Sequence, residues 1–322
     1  MGWMMIVATL ICSAAHGFYD AELEEVWKSV SNIYHPTLHD YQLFENYLST
    51  ARRSYLDYFR SETNPKFQRL FDFKFVGEYG EVPIFEKHAF NVNENDMERC
   101  ILLYSSYNGV YPKKTRKLLA EIEESGYRGH VLVRIGGFPN VANGGLKICH
   151  VPYAFKIAFF REAQLRGYKN VLWIDSAIHP LTEFSFTFKH IQDNGYFFTA
   201  VATLKDHAPS HNPKAAESLG INESFYEKIY HISTSIVGFN MENKVATQFL
   251  DEWYQETERV YPCITLYPEE VAFAVIAWRL KCIPPYSFYH VVCQGKDFEI
   301  LDRPIADFVK ERELNYFLDY QR

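Results

Sequence analysis

The residue with the most chemical content is Asp175, which directly follows the apolar run Val171-Leu172-Trp173-Ile174. A strand of that composition delivers its carboxylate to the edge of a sheet, where the charge needs a partner. A divalent cation is one partner, because hard cations favour carboxylate oxygen; the other reading is an Asp that caps the following turn. Two further carboxylates, Glu269 and Glu270, open an apolar segment containing Val271, Ala274, Val275 and Trp278. Carboxylates at a helix start are stabilised by its dipole, and one so placed can also take a proton from an acceptor hydroxyl. Lys156 falls between Phe160 and Ala163 on a helical wheel, inside an apolar arc. Such a lysine either snorkels to solvent or meets an anion.

These residues need a scaffold, and the pattern supplies one from residue 100 onward. Cys100 to Ser106 reads as a strand buried on both faces. Pro112 then opens a helix carrying Leu118, Leu119 and Ile122, and Gly126 stops it. A strand over His130 to Ile135, a helix from Pro152 to Arg166 and a strand from Asn170 to Ile174 follow. Strand, helix, strand, helix, strand is the signature of a parallel sheet with crossover helices. Helix Glu183–Asp193, strand Tyr196–Val201, strand Tyr230–Phe239, helix Val245–Glu258 and helix Glu269–Leu280 complete the expectation. The polar stretch Lys205 to Asn222 is long for a simple connection and reads as a flap over a site. In a parallel α/β sheet ligands bind at the carboxyl ends of strands. That rule points to Ser105-Ser106-Tyr107-Asn108, to Gly136-Gly137, and to Asp175-Ser176.

Residues 20–72 carry helical periodicity, with Leu23, Val26, Trp27 and Val30 on one stripe, and a short strand is expected near Val82 to Phe85. The expected division is a signal peptide over 1–17, an N-terminal helical extension over 18–95, the main domain over 96–295 and a tail over 296–322. Met4 to Ala15 is apolar or small throughout, and Ala15-His16-Gly17 offers a cleavage site, although no Lys or Arg precedes it. The alternative is a buried N-terminal helix or strand. A cleaved leader would place the protein outside the cell, in the periplasm or in a secretory lumen; otherwise it is cytoplasmic.

A net charge of −7 with no dense basic run gives no support for nucleic-acid binding. No apolar run is long enough to span a bilayer. Cys100, Cys149, Cys263, Cys282 and Cys293 are widely spaced and contain no Cys-x-x-Cys pair, so neither a disulfide framework nor a zinc site is indicated. The 26 Phe and 23 Tyr suit either flat sugar- or nucleotide-binding surfaces or simply an aromatic core.

The run from Arg166 to Ile178, Arg-Gly-Tyr-Lys-Asn-Val-Leu-Trp-Ile-Asp-Ser-Ala-Ile, resembles the segment ending in the DxD motif of GT-A-fold glycosyltransferases. Val-Pro-Tyr-Ala-Phe-Lys upstream and Ile-Gln-Asp-Asn-Gly-Tyr-Phe downstream are similar to a largely uncharacterised, mostly bacterial group of such proteins. The resemblance spans Cys100 to Gly295. It implies a mostly parallel GT-A-like sheet flanked by helices, a nucleotide-sugar donor and a carbohydrate or glycan acceptor. It further implies a divalent metal, manganese or magnesium, on Asp175 with a late histidine, for which His290 stands by position and His179 is a second candidate. Ser105, Tyr107 and Asn108 would take the nucleotide, with Tyr107 stacking on the base. Lys156 would meet the diphosphate beside Asp175 and Ser176, and Glu269 or Glu270 the acceptor. Ile232-Ser233-Thr234-Ser235-Ile236-Val237-Gly238-Phe239-Asn240 resembles the small-residue strand that lines the sugar side of such sites, or else Ser and Thr merely fill a narrow strand. The departure is Ala177, which stands where a full DxD has its second carboxylate. It motivates the alternative of a non-catalytic carbohydrate- or nucleotide-binding protein on the same fold. A nucleotidyltransferase ranks last, because no glycine-rich phosphate loop follows the first strand.

Overall fold

Alternation along one strand sets the layers of this molecule. The computed structural model describes residues 37–43, 45, 73–139, 148–206, 213–263, 265, 267–287 and 297–300. In β4 (Asn170–Ile174), Val171 and Trp173 face one core while Leu172 and Ile174 face a second. Both faces are therefore covered, which explains why the strand reads as an unbroken apolar run. The first face packs on α2 (Phe155–Leu165), α6 (Lys244–Glu258) and α7 (Pro268–Arg279). The second packs on α1 (Tyr111–Glu124) and α3 (Ser185–Asn194).

The other large-sheet strands are β1 (Ile84–Phe90), β2 (Arg99–Ser105), β3 (Gly129–Ile135), β6 (Tyr196–Thr203), β7 (Tyr230–Asn240) and β8 (Tyr286–Ser287). Their spatial order is β1-β3-β2-β4-β7-β6-β8. β2 runs parallel to β3 and β4, and β6 parallel to β8. β1 on β3, β7 on β4 and β6 on β7 are antiparallel. The expectation of a mostly parallel sheet is corrected: the fold is α/β with a mixed seven-stranded sheet. The cause is the insertion of β7 between β4 and β6, running against both. A pair β5 (Ile178–Pro180) and β9 (Phe298–Ile300) stands apart.

The elements expected between 100 and 280 are present with ends displaced by a few residues. Strands also form outside 96–295. β1 comes from the stretch read as an N-terminal extension, and β9 from the stretch read as a tail. Of the expected N-terminal helices, residues 38–43 are helical, and the leader at 1–17 lies outside the described residues. The flap reading of 205–222 is corrected over its second half. There α4 (Pro213–Ser218) leads into Leu219 and Ile221, which are buried against Val271 and Val275 of α7. Cys100, Cys149, Cys263 and Cys282 are free thiols, and Cys293 lies outside the described residues. No helix among the described residues is long and apolar enough to cross a membrane.

Candidate functional site

Four of the residues singled out by sequence converge at the carboxyl end of β4. Asp175 keeps to the face of Trp173, as strand alternation requires. The indole Nε1 donates to Asp175 Oδ1 at 2.6 Å, and Asp175 N donates to Ser235 O of β7 at 2.8 Å. Lys156 lies in the first turn of α2, 1% exposed. A cation at a helix N-terminus opposes the dipole, so its partners must come from elsewhere. Its Nζ stands 2.7 Å from Glu269 Oε1 and 3.3 Å from Asp175 Oδ1, and donates to the carbonyl and the hydroxyl of Thr234, each at 3.1 Å. The rings of Trp173 and Tyr153 approach within 5.6 and 5.7 Å, with their faces toward the charge. The remaining carboxylate, Glu270, takes Thr234 N at 3.1 Å on Oε1 and lies 2.7 Å from His231 Nε2 on Oε2.

Thr234 reaches this cluster because β7 is irregular there. Phe197 of β6 faces Gly238 but Thr199 faces Ser233, so a single residue of β6 spans four of β7, 234 to 237. Such a bulge re-aims side chains. Ile232 packs in the core beside Val237 and Phe239 despite their different parity, and Thr234 reaches Lys156 beside them. The hydroxyl accepts from Lys156 and donates to Glu269 Oε1 at 2.6 Å. α7 contributes both glutamates from its first turn, where Pro268 begins the helix.

The result is a chain from His231 through Glu270, Thr234, Glu269 and Lys156 to Asp175. All but Asp175 are largely buried, and its side chain is 33% exposed, so the cluster meets solvent through that carboxylate. Burial works against the charge of Lys156, but Asp175 and Glu269 outweigh it and hold the ammonium above the usual lysine range. Burial, opposed by Lys156, raises the Glu269 carboxyl. Glu270 is buried as well, yet His231 and Lys156 together bring it below the ordinary value.

These opposite shifts predict opposite pH arms. Glu269, raised in the folded state, contributes stability fully present below its unfolded value of about 4.3 and lost as pH rises through the folded value. Glu270, lowered, contributes stability present above about 4.3 and lost as pH falls through its folded value. In urea unfolding from pH 3 to 8, Glu269→Gln should flatten the decline above pH 4.3 and Glu270→Gln the decline below it. Identical profiles for the two variants would refute the assignment.

The other expected site residues lie elsewhere. Asn108 Oδ1 accepts from Lys74 N at 2.9 Å and from Ser106 Oγ at 3.0 Å, while Tyr107 OH donates to Val82 O at 2.5 Å. Both pin the segment 74–82 across the end of β2. Ser105 Oγ is buried without a hydrogen-bond partner among the described residues. Ser176 lies in the turn that Ile178 N closes on Asp175 O at 3.0 Å. That turn corrects the expectation for His179. The strand does not continue, so parity is lost, and His179 Nδ1 sits 3.1 Å from Glu121 of α1, on the opposite face of the sheet. His290 lies outside the described residues.

The implied metal does not fit these residues. Among the described residues no group of three His, Cys, Asp or Glu side chains is placed to hold a metal ion. The ammonium 3.3 Å from Asp175 also repels a cation beside that carboxylate. Lys156 likewise departs from the expected phosphate contact, since it is 1% exposed and its Nζ is surrounded by Thr234, Glu269 and Asp175. His231 and the bulge at Thr234 were missed as parts of the site; the only sequence signal was the run Ser233-Thr234-Ser235 inside an apolar strand.

No family model, curated protein or solved structure matches this chain.

Proposed function

We propose that the chain binds a nucleotide sugar at the rim of β4 and transfers its sugar to an acceptor hydroxyl without a metal on Asp175. The observation that carries this reading is Asp175 itself: a partly exposed carboxylate at a strand's carboxyl end, held from behind by Trp173 and Lys156. Three carboxylates outnumber the two basic groups of the cluster, Lys156 and His231, which suits sugar hydroxyls as donors and disfavours a diphosphate in direct contact. The donor's phosphates then lie off the cluster, with the sugar ring toward Asp175. In the transfer the acceptor oxygen bonds to the anomeric carbon and its proton passes to Asp175. The diphosphate leaves with the electron pair of the broken bond. Glu269, Glu270, Thr234 and His231 are positioning residues that act through Lys156.

A second reading, carbohydrate binding without transfer, draws on one feature. Lys156 is 1% exposed and surrounded by Thr234, Glu269 and Asp175, so this cation is not open to a leaving group.

Calorimetry with a panel of nucleotide sugars and free sugars, with and without manganese, tests both. Binding should be metal-independent, and Asp175→Ala should weaken it by about 10- to 100-fold, the loss of a charge-assisted hydrogen bond. Donor hydrolysis that disappears in the variant supports transfer; free-sugar binding without turnover supports the second reading. If no sugar or nucleotide sugar binds, both are wrong.

A further inference from the structure

A separate cavity of about 530 Å³ opens at the other end of α7, and none of the Asp175 cluster lines it. Its floor is apolar, made by Tyr230 and Ile232 of β7 with Ala274, Ala277 and Trp278 of α7. Its rim carries Lys228, Arg279 and Lys281, and no acidic residue lines it. In a chain whose net charge is −7, a lining with three cations and no carboxylate of its own is unusual, and two of the three, Lys228 and Lys281, have no ion-pair partner among the described residues. Arg279 is fixed by Glu256 Oε1 at 3.0 Å and by the carbonyl of Leu219. Lys228 and Lys281 are exposed.

The apolar floor is also open. Trp278 is 39% exposed, Tyr230 38% and Ile283 64%, a grouping that soluble proteins seldom leave uncovered without use. Burial pushes the thiol of Cys282, at the same wall, up to about 11, so it stays neutral there at physiological pH.

Backbone strain sets one of the cations. α7 ends with Cys282 N donating to Ala277 O at 2.8 Å and Lys281 N to Trp278 O at 3.2 Å. This is the Schellman arrangement, whose left-handed residue is usually glycine. Here Lys281 holds it, at φ 56°. A lysine kept in a conformation that disfavours it, on the rim of an open apolar cavity, indicates that its charge is used.

We propose that this cavity binds an amphipathic anion, an aliphatic chain ending in a carboxylate or phosphate, with the chain along Tyr230, Ile232 and Trp278 and the head between Lys228 and Lys281. The volume lies within the range of small-molecule sites. Long lysine side chains can follow the head while their stems cover the tail. This inference stands apart from the sugar-transfer reading, since it uses no residue of that site.

The test is calorimetry on the full chain with dodecanoate, dodecyl phosphate, dodecanol and dodecyltrimethylammonium, each below its micelle concentration. One or both anions should bind at a single site, and the preferred head distinguishes carboxylate from phosphate. The alcohol and the cation should bind at least about tenfold more weakly. Lys228→Gln and Lys281→Gly should each weaken the anion by about threefold, and the pair by about tenfold. Glycine suits the position of Lys281, so that variant keeps its thermal midpoint and the loss reads charge rather than folding. Equal binding of anion and cation, absence of binding by either anion, or an unchanged affinity in the double variant overturns the proposal.

Discussion

Replacing Lys156 by Met should destabilise the fold by about 3–5 kcal/mol, the cost of leaving a buried charge without its partner. Met fills a similar volume and suits the aromatic surroundings of Trp173 and Tyr153, so packing contributes little to the loss. Among the described residues, what remains is Glu269, 4% exposed, with the Thr234 hydroxyl to answer its charge, and Asp175 with the indole and solvent. Burial already raises Glu269, and losing the lysine raises it further. The variant then gains most from a proton, so its deficit should shrink as pH falls toward about 4.3 and widen toward neutrality. The native lysine has the complementary sign. Its folded value is raised, so its contribution is fully present below about 10.4 and fades only as pH rises through the folded value. Urea unfolding at pH 5 and pH 8 reads the first statement. Adding Glu269→Gln to Lys156→Met should recover part of the loss, because it removes the orphaned charge. A single variant within about 1 kcal/mol of the parent at pH 8 would mean that the cluster is solvated and the proposed architecture of the site is mistaken.

The sequence carried Asp175, Lys156, Glu269 and Glu270 as separate candidates, and each for a local reason. Asp175 was visible because four apolar residues precede it, and Lys156 because it breaks an apolar helical arc. Their meeting at one site was implied by the resemblance alone and by no local pattern. It depends on β7 lying beside β4, a pairing between residues 62 to 70 positions apart that leaves no mark in periodicity. Strand direction was hidden for the same reason: β7 reads equally well as parallel or antiparallel, so the sheet was expected to be mostly parallel. The bulge at Thr234 shifts side-chain parity within one strand, and His231 then meets Glu270 from a position no sequence spacing suggests. The role of the lysine was inverted by the same geometry. A cation near a strand-end carboxylate was expected to be a metal, with the lysine on phosphates, whereas the lysine itself stands beside the carboxylate. Tyr107 and Asn108 were placed correctly at the end of β2, but their polar atoms are engaged by Val82 and Lys74, from a segment whose course the sequence did not reveal.

That segment packs against Gly136, and Gly136→Ala should cost about 2–5 kcal/mol, more than Gly126→Ala. Two penalties coincide there. Its φ of +68° is a left-handed conformation, which costs an L-residue about 1–2 kcal/mol. An added Cβ would also stand 2.3 Å from the Tyr107 ring and 2.4 Å from the backbone oxygen of Phe75. The ring is held by its own hydroxyl on Val82, and Phe75 O accepts from Gly137 N at 2.8 Å, so neither neighbour gives way cheaply. Overpacking of this kind adds about 1–3 kcal/mol. Two controls separate the terms. Gly126 has φ +81° with nothing within 4 Å of its Cβ position, so Gly126→Ala should lose only the conformational part, about 1–2 kcal/mol. At Gly137 the nearest atom is a Pro83 side-chain carbon at 2.9 Å, and its alanine should fall between the two. Thermal or urea unfolding gives the ranking directly. Should Gly136→Ala and Gly126→Ala lose the same stability, the close approach of 75–83 to the ends of β2 and β3 does not constrain the fold. Should the ranking hold, the glycine pair after β3 is there to let that segment seat Tyr107 and Asn108, which makes it a structural clasp beside the site rather than part of its chemistry.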